Sequence, residues 1–401
     1  MKKKVDIAAL VMGLLALVAL FMKSFIIVLE NRISKMEHIS GRTVLGGYFW
    51  IMAAAVLLLL ISIIWKKEDE KSNFVTGIWA SICMGVTMFF MGLATNIQMD
   101  GRPVTYRVTF GISIYLLLLA FYGVIVKCNG KIETGWKKNV TVFTGIIMTV
   151  IWFASGWMNK LSIMTEYFTR QEKFMECLVE HVSISLIVMV VSLIIGIPLG
   201  YLCYRYKAVD FVVMGFLNII RSIPSIALIM VMVTPLSMLK KIPILDELGV
   251  GAFGFTPVFC ALLLYALFQI VNSMSGALKT IDPNLIKTAK AMGMTSSMVM
   301  YKVQIPIILP VVISGVRVAI ISTFTAASLG SMVGFGGLGT FIRMGSGGAI
   351  ALDMILLGAV PIMIMIFIAD FIFTKLGYWF ECRLNGKDLK IRKTKESWEE
   401  A

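Results

Sequence analysis

Residues 287–306 read KTAKAMGMTSSMVMYKVQIP, a lysine-bearing and glycine-broken stretch between two strongly apolar runs. Asp282 and Pro283 just before it are typical of a helix start, because an Asp side chain caps free amide groups and Pro fits the first helical position. Gly293 is expected to end that helix, since glycine tolerates the left-handed conformation. Thr295 is expected to cap a second short helix that ends near the final proline. The sequence therefore predicts a helix, a turn and a helix, neither long enough to cross a bilayer.

The rest of the chain is that of a polytopic membrane protein. It has 401 residues, of which 58% are hydrophobic and 15% charged, with a mean hydropathy of +0.88. The apolar runs of about 18 to 25 residues suit helices that cross a hydrocarbon core, rather than the alternating pattern of barrel strands. An all-α bundle of about ten transmembrane helices is predicted. The candidate spans are 5–22, 44–65, 75–94, 108–126, 139–157, 181–201, 211–238, 253–272, 307–331 and 351–374.

The distribution of basic residues orients these spans. With the N terminus inside, 23 of the 37 Lys and Arg fall on cytoplasmic segments, 12 fall outside, and Arg221 and Arg317 lie within spans. The protein is predicted to lie in the cell (inner) membrane. Because short loops rich in Lys and Arg stay cytoplasmic, both termini and the 287–306 stretch are predicted to lie on the cytoplasmic side. The net charge of +14 sits at span ends and in the tail, where it meets anionic lipid and not nucleic acid.

The chain divides into segments of different character. Residues 1–157 hold five spans almost free of ionisable groups, so they name no chemistry; a packing or assembly bundle is favoured and its role is unknown. Residues 158–180 combine apolar and charged side chains as an external amphipathic helix would. Residues 181–385 form a second membrane half that contains the cytoplasmic loop 282–306. A tail of mixed basic and acidic residues, 386–401, is predicted to be cytoplasmic.

Several chemistries are not indicated. The six cysteines form no C-x-x-C pair, and His38 and His181 belong to no metal-binding motif. There is no G-x-x-x-x-G-K-[ST] phosphate loop, so the chain is not expected to bind ATP by that device. The chain is not expected to be an enzyme or to hold a metal or another cofactor itself. The glycines of Gly334-x-Gly-x-x-Gly339 follow a membrane helix and no strand, so a close-packed turn is expected instead of a nucleotide site.

The 287–306 stretch suits docking into a groove on another protein or serves as a plain connector, and a family resemblance favours docking. Lys287-Thr288-Ala289, then Gly293, then Val303-Gln-Ile-Pro306 resemble the E-A-A-x-x-x-G-x9-I-x-L-P loop of ABC-importer permeases. In that family this loop is the coupling helix that docks on the ATPase subunit. Here Lys287 replaces the family's Glu and Thr288 an Ala. Lys290 adds a second positive charge, so the ATPase is expected to offer an acidic groove.

Further motifs, in the same order as in the osmoprotectant branch, resemble permeases for glycine betaine, choline or carnitine. These are Glu180-His-Val-x-x-Ser-Leu, Ile195-Gly-Ile-Pro-Leu-Gly, Arg221-Ser-Ile-Pro-Ser-Ile-Ala-Leu, Leu264-Tyr-Ala-Leu, Ile281-Asp-Pro-Asn-Leu and Gly334-Phe-Gly-Gly-Leu-Gly. The resemblance implies a type I permease core that pairs with a second permease copy, in a homodimer or heterodimer. It also implies partner ATPase subunits that bind ATP and Mg²⁺. A third implied partner is an extracytoplasmic binding protein that carries most of the selectivity.

Polar residues in the second half suggest a translocation path. Ser314, Arg317, Thr325 and Ser328 share one face of span 307–331 at about 100° per residue. An Arg inside a span should face water or a partner, so Arg317 either lines the path or holds helices together through carbonyls or Asp370.

Other path candidates are weaker. Arg221 and Ser225 flank Pro224, where the helix can kink, and Arg221 is as plausible an anchor as a path residue. Gln269 and Asn272 are minor candidates. No aromatic cluster that would hold a quaternary ammonium stands out in these spans.

Three alternatives stay open. One is an ABC permease for an amino acid such as methionine. Another is a secondary carrier, which would need coupling carboxylates and has only Asp353 and Asp370 in the second half. The third is a membrane sensor or assembly protein that does not transport.

Overall fold

A computed structural model describes residues 6–31, 34–67, 69–103, 105–239, 242–244, 250–347 and 350–384. The described chain is predominantly helical, which confirms the predicted helical-bundle class. It forms two compact units, one comprising Met1–Arg170 with Gly348–Asp353, the other Gln171–Gly347 with Met354–Ala401. The predicted tail 386–401 lies outside the described residues.

The first unit contains seven α-helices and three short strands within its described residues. The helices are α1 Ile7–Phe21, α2 Gly41–Leu45, α3 Phe49–Trp65, α4 Glu70–Gln98, α5 Ile112–Asn129, α6 Gly135–Ala154 and α7 Ser162–Thr169. Helix α4 packs against α5 and α6, and α1 packs against α3 and α5. Their apolar faces meet in a core that includes Phe25, Phe49 and Phe121.

This unit also contains a small antiparallel sheet, which the prediction of an all-α bundle did not include. Its strands are β1 Ile26–Leu29, β2 Glu37–Ile39 and β3 Arg107–Phe110, in the order β2-β1-β3. Ile27 of β1 lies opposite His38 on one side and Thr109 on the other. The predicted span 108–126 therefore begins with a strand, and its helix starts only at Ile112.

Close backbone contact joins α4 to α6. A Cβ added at Gly85 would lie 2.6 Å from the Met148 Cβ, and one at Gly145 would lie 2.4 Å from the Ser81 carbonyl oxygen. The Gly145 amide donates to Ser81 Oγ at 2.7 Å, and the Trp152 indole donates to the Gly85 carbonyl at 3.1 Å. Small residues and interhelical hydrogen bonds hold membrane helices together because lipid tails are as apolar as the helices themselves.

The segment 158–180 differs from the single amphipathic helix that its sequence predicts. Helix α7 ends at Thr169, and Gln171 already begins the next long helix. Glu166 of α7 is almost fully buried and forms ion pairs with Arg107 of β3 at 2.8 Å and with Arg170 at 3.3 Å. A buried carboxylate needs such partners, so α7 packs into the first unit by a polar contact that helical periodicity alone does not show.

The second unit is built around one central helix. Its elements are α8 Gln171–Arg205, α9 Lys207–Ser222, α10 Ser225–Leu239, α11 Phe255–Lys279, α12 Pro283–Ala291, α13 Ser296–Val299, α14 Ile305–Ala327 and α15 Gly339–Ser346. The last described helix, α16, covers Leu352–Leu384. Helix α11 packs against α8, α9, α10 and α14, so its apolar side chains are buried on several faces.

The predicted count of ten spans is not confirmed. Among the described residues, seven helices are long and apolar enough to cross a membrane, or eight if a bent pair is counted as one span. Helix α1 has only 15 residues, shorter than the roughly 20 that cross a hydrocarbon core. Helix α6 coincides with predicted span 139–157 but is not among the seven.

The predicted continuous span 211–238 is instead the bent pair. The helix axis bends by 112° between α9 and α10. The break falls at Ile223 and Pro224, because proline lacks an amide donor and keeps the preceding residue out of the helical region. The Tyr265 hydroxyl of α11 donates to the Ile223 carbonyl, which satisfies a backbone group that the break leaves outside the helix.

The α4–α6 contact makes a testable prediction for two glycines of the same helix. Gly145→Ala should lower the stability of the protein by about 1–3 kcal/mol, because its Cβ would overlap a backbone oxygen that cannot move aside alone. Gly135→Ala is the matched control, since nothing lies within 4 Å of its added Cβ. The melting temperatures of the detergent-purified variants check this; equal values for the two would contradict the contact.

Candidate functional site

The loop between α11 and α14 begins as its sequence predicts. The Asp282 carboxylate accepts a hydrogen bond from the Asn284 amide at 2.8 Å, and Thr295 Oγ1 accepts one from the Met298 amide at 3.3 Å. Gly293 has φ +84°, a left-handed conformation that favours glycine. Both predicted caps and the predicted turn are confirmed. They are local features, set by neighbours in sequence.

The predicted stop at Pro306 is wrong. Helix α13 continues through a π-helical turn, Met300–Gln304, directly into α14. The Ile305 amide bonds to the Met300 carbonyl five residues earlier, so the ladder reaches the proline without a gap. Pro306 is the second residue of α14, and the widened π-turn lies directly before this residue, which has no amide to donate.

The loop presents a cationic and apolar surface. Its exposed side chains include Lys287, Thr288, Lys290, Met292 and Tyr301. Met292 and Tyr301 are 75% and 72% exposed. The sequence has no Asp or Glu from residue 283 to residue 306, whereas Ala289 is buried and anchors α12 from behind. Such a surface is complementary to an acidic partner with apolar pockets.

The loop rests on the C-terminal part of α8. The Gln304 side-chain amide donates to the Tyr204 hydroxyl at 3.3 Å. A groove of about 340 Å³ separates the two elements, lined by Ile197, Pro198, Tyr201, Met274, Ser296, Ser297, Met300, Tyr301 and Ile305. The loop is thus packed against the C-terminal part of a 35-residue helix.

Arg317 joins two helices. Its Nη1 donates to Thr374 Oγ1 of α16 at 2.7 Å and lies 3.6 Å from Asp370 Oδ1. Arg317 and Ser314 also line a cavity of about 190 Å³ with Thr374 and Glu381. The contact with Asp370 supports the role of Arg317 in holding two helices together. Because Arg317 also lines the cavity, this role is compatible with a place in a translocation path.

The predicted polar stripe divides into two parts. Thr325 Oγ1 donates to the Ile321 carbonyl at 2.9 Å, and Ser328 Oγ donates to the Thr325 carbonyl at 2.7 Å. Both hydroxyl groups therefore find their hydrogen-bond acceptors in the backbone of their own helical segment. Ser314 and Arg317 face the cavity, while Thr325 and Ser328 are not among the residues that line it.

The remaining path candidates are scattered. The Arg221 guanidinium lies 4.7 Å from the centre of the Phe268 ring, a cation–π contact between α9 and α11. Ser225 begins α10 beyond the bend. Gln269 is half-buried and Asn272 is exposed on α11. The aromatic ring at position 268 therefore supplies the face on which the Arg221 guanidinium lies.

Sequence reasoning gave no role to Glu180 and His181, which meet the glycine turn after α14. The Glu180 carboxylate accepts a hydrogen bond from the Gly337 amide at 2.8 Å, and a Cβ at Gly336 would overlap its Oε2. The buried His181 ring donates through Nε2 to the Phe324 carbonyl at 3.1 Å. The contact of Glu180 with Gly336 and Gly337 confirms the expected close-packed turn. The available signal was an ionisable pair at the start of an apolar run.

Two protein-family models match parts of this chain. Residues 192–384 match the family of the binding-protein-dependent transport system inner membrane component. Residues 3–164 match the N-terminal domain of the ABC transporter permease YehY. Among solved structures, an inward-facing methionine ABC transporter matches 52% of this chain and 97% of its own, with 22% identity and a TM-score of 0.46.

Curated relatives extend over most of their own length. The glycine betaine/carnitine/choline transport system permease OpuCB of Bacillus subtilis is 33% identical over 193 residues, 48% of this chain and 82% of the relative. The osmoprotectant import permease OsmW of Salmonella typhimurium is 30% identical over 197 residues, 49% of this chain and 86% of the relative. The chain therefore belongs to the family of multi-pass membrane permeases that serve as the inner membrane component of binding-protein-dependent ABC transport systems.

Proposed function

We propose that this chain is the permease subunit of an ATP-driven importer of small quaternary-ammonium osmoprotectants such as glycine betaine, choline or carnitine. One observation carries the proposal. The chain aligns over 193 residues with 82% of a glycine betaine/carnitine/choline permease at 33% identity. The α12–α13 loop, with its exposed cationic face, supports the part of the proposal that concerns docking to an ATPase.

A permease of this family works with a separate ATPase and a substrate-binding protein. In the proposed complex the ATPase subunits hold ATP and Mg²⁺, and the permease chain itself holds no cofactor. Two permease bundles, identical or related, form the membrane part. Both termini face the cytoplasm, as the distribution of Lys and Arg favours.

The loop 282–306 is the surface on which the ATPase docks. Lys287 and Lys290 are exposed on α12, and Met292 extends from its end. Where the related family motif carries a Glu, this chain carries Lys287. The complementary groove of its ATPase is accordingly acidic, with an apolar recess for Met292.

Helix continuity offers a way to transmit motion. From Ser296 to Ala327 the backbone is helical without a break, through the π-turn at Met300–Gln304. A displacement of the loop is therefore passed along the chain to the start of α14. Because Arg317 ties α14 to α16 through Asp370 and Thr374, the two helices move together.

Reconstitution tests the substrate class. The permease with its ATPase and binding protein in liposomes should accumulate radiolabelled glycine betaine, choline or carnitine when ATP is enclosed with the ATPase. The control complex carries an ATPase unable to hydrolyse ATP. Uptake that proceeds equally well in the control would refute an ATP-driven importer, and uptake of methionine without any quaternary amine would favour the amino-acid alternative.

The turn at Gly293 supplies a test of docking. Gly293→Val should reduce ATPase co-purification on the order of tenfold, because a β-branched residue is strained at φ +84° and the loop must change shape. Gly293→Asn is the matched control, since asparagine tolerates the left-handed conformation. If the valine variant retains as much ATPase as the asparagine variant, the loop's shape is not what the ATPase recognises.

A further inference from the structure

A second cavity in the same unit lies beside the Glu180–glycine contact. It measures about 450 Å³ and is lined by Val179, Glu180, Ser183, Ile184, Gly254, Phe255, Gly334, Phe335 and Gly336. Only one ionisable side chain, Glu180, lines it. The sequence did not reveal this group, because its three segments are separated by about 70 to 80 residues from one another.

Two aromatic rings form a corner of the cavity. The ring centroids of Phe255 and Phe335 are 6.3 Å apart, with planes inclined by 60°. Phe255 stacks on Phe259 at 5.6 Å, which fixes its ring. Phe335 is nearly buried, and its amide bonds to the Gly330 carbonyl at 3.1 Å. Burial therefore holds the Phe335 ring, whereas the Phe255 ring is 45% exposed and is oriented by its stacking on Phe259.

Glu180 lines the same cavity as these two rings, and Lys173, two turns earlier on α8, interacts with it only at longer range. Within the part of the chain that the structure describes, no ion pair involves Glu180, although Glu176 one turn earlier pairs with Lys173 at 2.8 Å. Its Oε2 is held by the Gly337 amide. The carboxylate is half-buried, and a charge in such a place is stabilised by an opposite charge.

We propose that Glu180, Phe255 and Phe335 bind a small organic ammonium cation, a permease site for the quaternary amines that the proposed function assigns as substrates. Aromatic faces attract such cations through the ring quadrupole. A metal ion is a poorer fit, because Ca²⁺ and Mg²⁺ need about six oxygen ligands, and no group of three His, Cys, Asp or Glu side chains comes together in the described residues.

The position of the site suits an entrance. Glu180 lies near the start of α8, whereas the loop groove meets the same helix at Ile197 to Tyr201. At 1.5 Å per residue, the two places are about 25 Å apart along α8. A cation that enters here is at the opposite end of the helix from the loop on which the ATPase is proposed to dock.

Direct binding to the permease–ATPase complex in nanodiscs, without the binding protein, tests this site. Equilibrium dialysis measures radiolabelled choline, with competition by unlabelled choline and by its uncharged isostere 3,3-dimethyl-1-butanol. The wild-type complex should prefer choline to the isostere by about tenfold or more. Glu180→Gln should weaken choline binding about tenfold and abolish that preference, while its amide oxygen still accepts from Gly337.

Matched variants separate charge and ring effects from misfolding. Phe255→Leu should weaken choline binding several-fold. Glu176→Gln, the control carboxylate one turn away on α8, should bind as the wild type does, and all variants should melt at the same temperature. Choline binding that is unchanged in Glu180→Gln, or absent from the wild-type complex, would overturn the site.

The uptake assay keeps this outcome distinct from the proposed function. If the reconstituted importer accumulates glycine betaine while Glu180→Gln leaves choline binding unchanged, the importer stands and the site falls. If the importer takes up no quaternary amine while choline binding depends on Glu180, the site stands and the proposed substrate class falls.

Discussion

Every backbone amide and carbonyl of a chain that crosses hydrocarbon must find a partner within the protein. This constraint explains why helices dominate the described part of both units and why three irregular places in the second unit meet a specific side chain. The Tyr265 hydroxyl serves the bend at Ile223, the Glu180 carboxylate serves the turn at Gly337, and the His181 ring serves the end of α14 at Phe324. At Met300–Gln304 the ladder widens into a π-turn instead of breaking.

These partners explain how one unit can combine rigid helices with irregular segments. The bend between α9 and α10 and the glycine turn after α14 both contact the side chains of long helices, α11 and α8. Helix α8 contributes at both of its ends, through Glu180 near its start and Tyr204 near its finish. A change at one end of such a helix therefore has a physical route to the other.

The first unit is held by different means. Close approach of α4 and α6 at Gly85 and Gly145, with indole and hydroxyl hydrogen bonds between the helices, replaces the hydrophobic effect that soluble helices use. The buried Glu166, paired with Arg107 and Arg170, fixes α7 to the small sheet. Its match to the YehY N-terminal domain shows that this unit recurs in a permease, so it is not peculiar to this chain.

The sequence by itself determined the helical membrane class, the family and the local geometry of the loop. Asp282, Gly293 and Thr295 act on neighbours within three residues, and capping needs nothing more distant. Tertiary structure decided the rest. Pro306 continues a helix because a π-turn precedes it, and Arg317 meets Asp370 fifty-three positions away. Phe255 and Phe335 line one cavity with Glu180 only through packing, since no periodicity brings together segments so far apart in sequence.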